Sequence, residues 1–153
     1  MKSIQQKGFT IVELLLTMGI FAILTSLATI NLVSAQHTAS IDTTTTTLVA
    51  DLKQQQTKAM TGDTEGRSAP SPYGVHFDTT KYVLFHGTYN AADTSNFTIN
   101  LEGSLRFTTT GDILFSQVSG ERTGLNPIVL QDSMTTRHKS ITTNTYGVIT
   151  TVN

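Results

Sequence analysis

The feature that most restricts this chain is an uncharged run of 20 residues, 14–33, reading LLLTMGIFAILTSLATINLV. Wound as an α-helix, such a run rises about 30 Å, the thickness of a bilayer's hydrocarbon core. Lys2 and Lys7 precede it in a polar opening that ends at Gly8. By the positive-inside rule they hold the N-terminus in the cytoplasm and send the rest outward across the membrane. A cleaved secretory signal is the competing reading, because Val33-Ser34-Ala35 before Gln36 has the small residues of a cleavage site. Two features oppose it. The run exceeds the 7–15-residue apolar core of such signals, and Glu13 sits at its leading edge. A carboxylate near a membrane core costs about 2.5 kcal/mol or more on insertion scales, so it calls for a partner.

The residues around that carboxylate are ordered in a particular way: Lys7-Gly8-Phe9-Thr10-Ile11-Val12-Glu13-Leu14-Leu15. They resemble the class III signal of type IV prepilins and type II secretion pseudopilins. The resemblance implies that prepilin peptidase cuts between Gly8 and Phe9 and methylates the new amine of Phe9. It also implies that Glu13 is the acidic residue that guides assembly. The physics is consistent with that role. An unpaired ammonium and an unpaired carboxylate are each costly in an apolar core, and pairing Glu13 of one subunit with the Phe9 amine of a neighbour relieves both.

Beyond Val33 the helix is expected to continue. Ile41, Leu48, Leu52 and Ala59 recur at helical spacing as a one-sided apolar stripe. Thr43 to Thr47 form a weak point, since β-branched residues lower helix propensity, and Thr61-Gly62-Asp63 reads as the stop. No Pro interrupts this stretch. A loop over 62–72 follows, and the apolar period then changes to two. Strands are expected at 73–77, 81–86, 97–101, 104–107, 112–116, 127–131, 138–142 and 146–152. Asp78-Thr79-Thr80 turns the first pair into a hairpin. The expected fold is α+β and pilin-like, a long N-terminal helix packed on an antiparallel β-sheet head. Its segments are a leader (1–8), a helix (9–60, of which 9–33 is membrane-embedded and 34–60 packs on the head) and a β-rich head (61–153). Threonine, roughly a fifth of the chain, suits such a polar-faced β head.

The layout resembles the GspH/FimT group of minor pilins and pseudopilins: residues 48–60 match their end-of-helix segment, Tyr73-Gly74-Val75 their first strand, and residues 139–149 their closing hairpin. Members implicated in DNA uptake carry basic residues near the C-terminus. Here the tail Gly147-Val-Ile-Thr-Thr-Val-Asn153 has none, and the net charge of −1 argues against nucleic acid as a partner.

Little in the head points to chemistry. No Gly-x-Ser-x-Gly or His-Glu-x-x-His occurs, and the absence of cysteine excludes disulfides and thiolate metal sites. Of His37, His76, His86 and His138, the pair 76/86 invites a metal reading. Alternation in the expected hairpin places those two on opposite faces, so they read as surface histidines. Asp93, Glu102, Asp112 and Asp132 lack the spacing of a calcium loop. Arg137-His138-Lys139 is the head's basic cluster, read as a solvated strand end. Neither cofactor nor catalytic residue is expected. The expected function is that of a structural subunit of a type IV pilus or type II secretion pseudopilus, a minor component by the second resemblance. Its implied partners are other pilin subunits, prepilin peptidase, the inner-membrane assembly machinery and, before assembly, membrane lipid. A main pilin, or a membrane-anchored or secreted binding module, are the alternatives.

Overall fold

The computed structural model describes residues 8–153, with the side chains of residues 28–31 outside the description. Leader residues 1–7, including Lys2 and Lys7, lie outside the described residues. The chain divides into two units, Met1–Gln36 and His37–Asn153.

A helix, α1, spans Ile11–Thr61. It runs through the threonine tract without a break, because Ile41, Thr45 and Leu48 are buried against the head and such packing overrides propensity. Thr45 Oγ1 donates to the Ile41 carbonyl at 2.7 Å and Thr46 Oγ1 to that of Asp42 at 2.9 Å. A threonine bonded back to i−4 satisfies its own polar group inside the helix. The C-terminus closes as a Schellman cap: Gly62, at φ +66°, donates to Ala59 and Asp63 donates to Lys58.

In the second unit the stripe Ile41, Leu48, Leu52 and Ala59 is buried against a β head. The strands are β1 (Tyr73–Asp78), β2 (Lys81–His86), β3 (Phe97–Asn100), β4 (Leu105–Phe107), β5 (Gly111–Phe115), β6 (Arg122–Gly124), β7 (Ile128–Asp132), β8 (His138–Thr143) and β9 (Ile149–Val152). All pairings are antiparallel. The β1–β2 hairpin has the expected register, with Asp78 opposite Lys81 and Tyr73 opposite His86.

The single sheet expected from the sequence is two. One has the order β3-β2-β1-β5-β6 and the other β4-β7-β8-β9. Apolar alternation marks which side of a strand is buried, while it does not name the strand's neighbour. The three-residue β4 therefore leaves the first sheet to pair with β7. β6, Arg-Thr-Gly, was not expected as a strand because it carries no apolar side chain. Residues 146–148 belong to the turn before β9, where Gly147 takes φ +76°. A Cβ on Gly147 would strike the Gln56 amide and the Gly120 carbonyl. Gly74 is similarly constrained. A Cβ there would lie 2.5 Å from the Phe85 ring and 2.6 Å from the Ile113 carbonyl.

The two ends of the packed helix segment are held by polar contacts. Near its start, the buried Asp132 carboxylate meets His37 Nδ1 at 2.8 Å and accepts from the Met134 amide and the Thr135 hydroxyl. Near its end, Gln56 Nε2 donates to the Tyr146 and Gly120 carbonyls at 2.7 and 3.1 Å. The Ser104 hydroxyl first, then the Met134 amide and the Thr135 hydroxyl, hold Asp132 down to about 2 against the opposing effect of burial. A carboxyl depressed in the fold stabilises it above the unfolded value near 4 and loses that contribution as pH falls towards the folded value. The melting temperature should therefore drop between about pH 4 and about pH 2. Asp132→Asn should lower it at neutral pH and flatten that drop. An unchanged acid slope in the variant would assign the acid sensitivity to other carboxylates.

Candidate processing and assembly site

The site begins where the backbone becomes helical. Thr10 directly precedes α1 and caps it, its Oγ1 accepting from the Glu13 amide at 3.2 Å and its carbonyl accepting from the Leu14 amide at 3.1 Å. Thr10-Ile11-Val12-Glu13 is the Thr-x-x-Glu pattern of a capping box, with Glu13 at the third helical position. That signature was present in the sequence and its capping role was missed there. An acidic residue in the first turn also suits the positive end of the helix dipole. Glu13 is exposed.

Gly8 and Phe9 lie just outside the helix. Nothing comes within 4 Å of a Cβ built on Gly8, and Phe9 is 84% exposed. The structure therefore places a glycine–phenylalanine junction in the open, one helical turn ahead of the carboxylate.

From Phe9 to Leu27 every large apolar side chain is at least half exposed, Leu16, Phe21 and Leu24 among them. Two hydroxyls within this stretch donate to the helix backbone, Thr17 to the Leu14 carbonyl and Thr25 to that of Phe21. Such bonding suits an apolar surrounding, where an unmet polar group is costly. By length and composition α1 is long and apolar enough to cross a membrane. An exposed apolar surface of this extent calls for lipid or for other protein.

Two histidines of the head, His76 and His86, are built into local structure. His76 and Asp112 are direct partners across β1 and β5, with Nδ1 and Oδ1 2.5 Å apart, and the Tyr89 ring stacks on the imidazole at 3.8 Å. The sequence did not show this pair, since the β1–β5 neighbourhood is not legible from apolar period. His86 shares its face with Tyr73, whereas His76 lies on the other. Among the described residues no group of three or more His, Cys, Asp or Glu side chains is placed to hold a metal ion. Burial first, and the Asp51 carboxylate bonded to its hydroxyl second, push the Tyr82 phenol well above its usual range. That contact ties β2 to α1.

Residues 4–29 match the family model of the prokaryotic N-terminal methylation motif. No curated protein and no solved structure matches the chain. The motif belongs to structural proteins that are processed by prepilin peptidase and assemble with other pilins. The match covers Gly8, Phe9, Thr10, Glu13 and most of the uncovered apolar helix. The chain thus carries a class III prepilin signal at the start of a pilin-like α+β fold.

Proposed function

We propose that this chain is a filament subunit, cut between Gly8 and Phe9, methylated on the Phe9 amine, and assembled through α1 into a type IV pilus or type II secretion pseudopilus. The observation that carries the proposal is the methylation motif at residues 4–29 on a helix whose large apolar side chains stand uncovered. Before assembly the uncovered helix resides in the inner membrane with its N-terminus cytoplasmic and the head outside. In the filament the same surface is covered by the helices of other subunits. No step in this cycle asks for catalysis by the chain itself.

Within that class we assign it to the minor, GspH/FimT-like components. The support is the resemblance of the first strand and closing hairpin, centred on Gly74 and Gly147. Both glycines stand where a side chain would collide with packed neighbours, so both have a structural reason to be glycine. Copy number in purified filaments tests the minor assignment.

The mature N-terminus tests the proposal as a whole. Mass spectrometry of the protein from its native membrane or filament should return N-methyl-Phe9 as the first residue. A mature chain starting at Gln36 would remove both anchor and filament core, and an intact Met1 would leave a plain signal anchor.

A further inference from the structure

We infer that the cleft between the last turns of α1 and the β2–β3 corner of the head binds a neutral saccharide. The inference does not depend on the filament reading, because every residue it uses lies in the second unit. The cleft encloses about 320 Å³, with Gln55, Lys58, Glu65, Tyr73, His86 and Phe97 among its walls. That volume lies at the small end of ligand sites, which suits a small molecule better than a protein segment.

Two polar atoms of the cleft residues are unmet. Gln55 is 2% exposed, and Gln55 Oε1 and His86 Nε2 are buried without a hydrogen-bond partner among the described residues. A buried polar atom left unpaired is costly, so two such atoms in one cleft call for a ligand. The charged groups around them are already engaged. Lys58 meets Glu65 at 2.5 Å and lies over the Tyr73 ring, while Arg67 meets the same carboxylate at 3.0 Å. The Tyr73 hydroxyl donates to the Asp63 carbonyl, and Asp51 accepts from the Tyr82 hydroxyl. Leaving His86 aside, the cations Lys58 and Arg67 cancel the carboxylates Glu65 and Asp51, and no free charge remains for an ionic ligand.

The unmet groups then specify the ligand. Gln55 offers either its oxygen or its amide N–H, since a half-turn about the last torsion exchanges them. An imidazole nitrogen donates or accepts according to tautomer. A hydroxyl does both, so neighbouring hydroxyls on one sugar ring satisfy either state of either group. Phe97, 66% exposed at the start of β3, adds an uncovered aromatic ring on which the C–H face of a sugar can lie. The loop before β3 is held by its own side chains. Asp93 Oδ1 accepts from the Ser95 amide and hydroxyl at 2.9 and 2.7 Å, and Asn96 Nδ2 donates to the Asn90 carbonyl at 2.7 Å. Little ordering is therefore left to do on binding.

The test uses the full-length protein in phosphatidylcholine nanodiscs, which avoids sugar-based detergents. Methyl glucoside, methyl galactoside and methyl N-acetylglucosaminide are titrated separately and followed by saturation-transfer NMR. Methyl glucuronide and N-acetylalanine methylamide are the charged and peptide comparators. At least one neutral glycoside should bind with a Kd on the order of millimolar, and which one binds separates hexose from acetamido sugar. Phe97→Ala should weaken binding about tenfold. Phe97→Trp should keep it and, in a chain without tryptophan, report it by a change in emission. Gln55→Leu should abolish binding yet melt no lower than wild type, because an apolar side chain replaces an unpaired buried amide. A Gln55→Leu chain that still binds, or that melts lower, assigns Gln55 to the fold and overturns its role as a ligand group. The inference as a whole is overturned if no neutral glycoside binds, as when a buried water satisfies both atoms. Binding unchanged in Phe97→Ala, or stronger for the glucuronide or the peptide amide than for every neutral glycoside, overturns it equally.

Discussion

A chain beginning at Ser34 is expected to be soluble without detergent, monomeric and rich in antiparallel sheet, while the full-length protein needs detergent or lipid. The two halves of the apolar inventory are cleanly divided. Among the described residues every buried hydrophobic side chain, from Ile41 to Ile141, lies in the second unit. Fourteen of the exposed large apolar side chains lie between Phe9 and Val33. Covering a large apolar side chain is worth about 1.5–3 kcal/mol, so leaving that set in water opposes solubility by tens of kcal/mol at the upper bound. Truncation removes that penalty and takes nothing from the core. It also keeps His37, Thr38 and Asp42, the helix residues that meet Asp132, Arg137 and Lys139. Far-ultraviolet circular dichroism and size-exclusion chromatography check this directly. A truncated chain that aggregates or shows no sheet would mean that the head's core depends on the first unit.

How far the sequence led depended on which interactions act locally. The stripe Ile41, Leu48, Leu52 and Ala59 was legible because helical period and burial face are the same information, and all four are buried. The β1–β2 register was legible because the Asp78-Thr79-Thr80 turn leaves little choice of pairing, and Asp78 does oppose Lys81. The division into two sheets was not legible. It depends on β4 choosing β7 over nearer strands, and a three-residue strand carries no record of its partner. β6 escaped for a related reason, since it joins β5 through backbone alone and has no apolar residue to announce it. Contacts that depend on long-range pairing were hidden in turn. His76 meets Asp112 only because β1 lies beside β5, and His37 meets Asp132 only because β7 ends against the helix. At the candidate processing site the reverse holds. Thr10 and Glu13 are three residues apart, and their capping bond was readable in full from the Thr-x-x-Glu spacing.

Substitution of Glu13 should leave membrane insertion and the proposed cut between Gly8 and Phe9 intact while sharply reducing incorporation into filaments. In the single chain Glu13 lies in the first helical turn, with its amide bonded to Thr10. The capping hydroxyl belongs to Thr10, so Glu13→Gln keeps the cap, and the glutamine keeps the other half of a capping box. Loss of the helix start is therefore not the expected cause of failure. The cause lies between subunits. Cleavage would leave an ammonium on Phe9, one residue ahead of the cap and at the positive end of the helix dipole, where a cation is disfavoured. The carboxylate of a neighbour is the group that can offset it. In a dry filament core, breaking a buried ion pair by removing one partner costs roughly 3–5 kcal/mol, a factor of about 10² to 10³ or more in the assembly equilibrium. In the membrane the effect has the opposite sign, because an isolated carboxylate there is itself costly and its removal stabilises the monomer. Both changes move the balance towards the membrane-bound form, so Glu13→Gln and Glu13→Ala should accumulate there fully processed. Glu13→Lys should be worse than either, since it sets two cations together. A subunit at the filament tip has fewer neighbours to pair with, and there the effect is muted. Immunoblots of sheared filaments against the membrane fraction, for wild type and each variant, measure the ratio. Equal incorporation of wild type and Glu13→Lys would show that the carboxylate has no part in assembly.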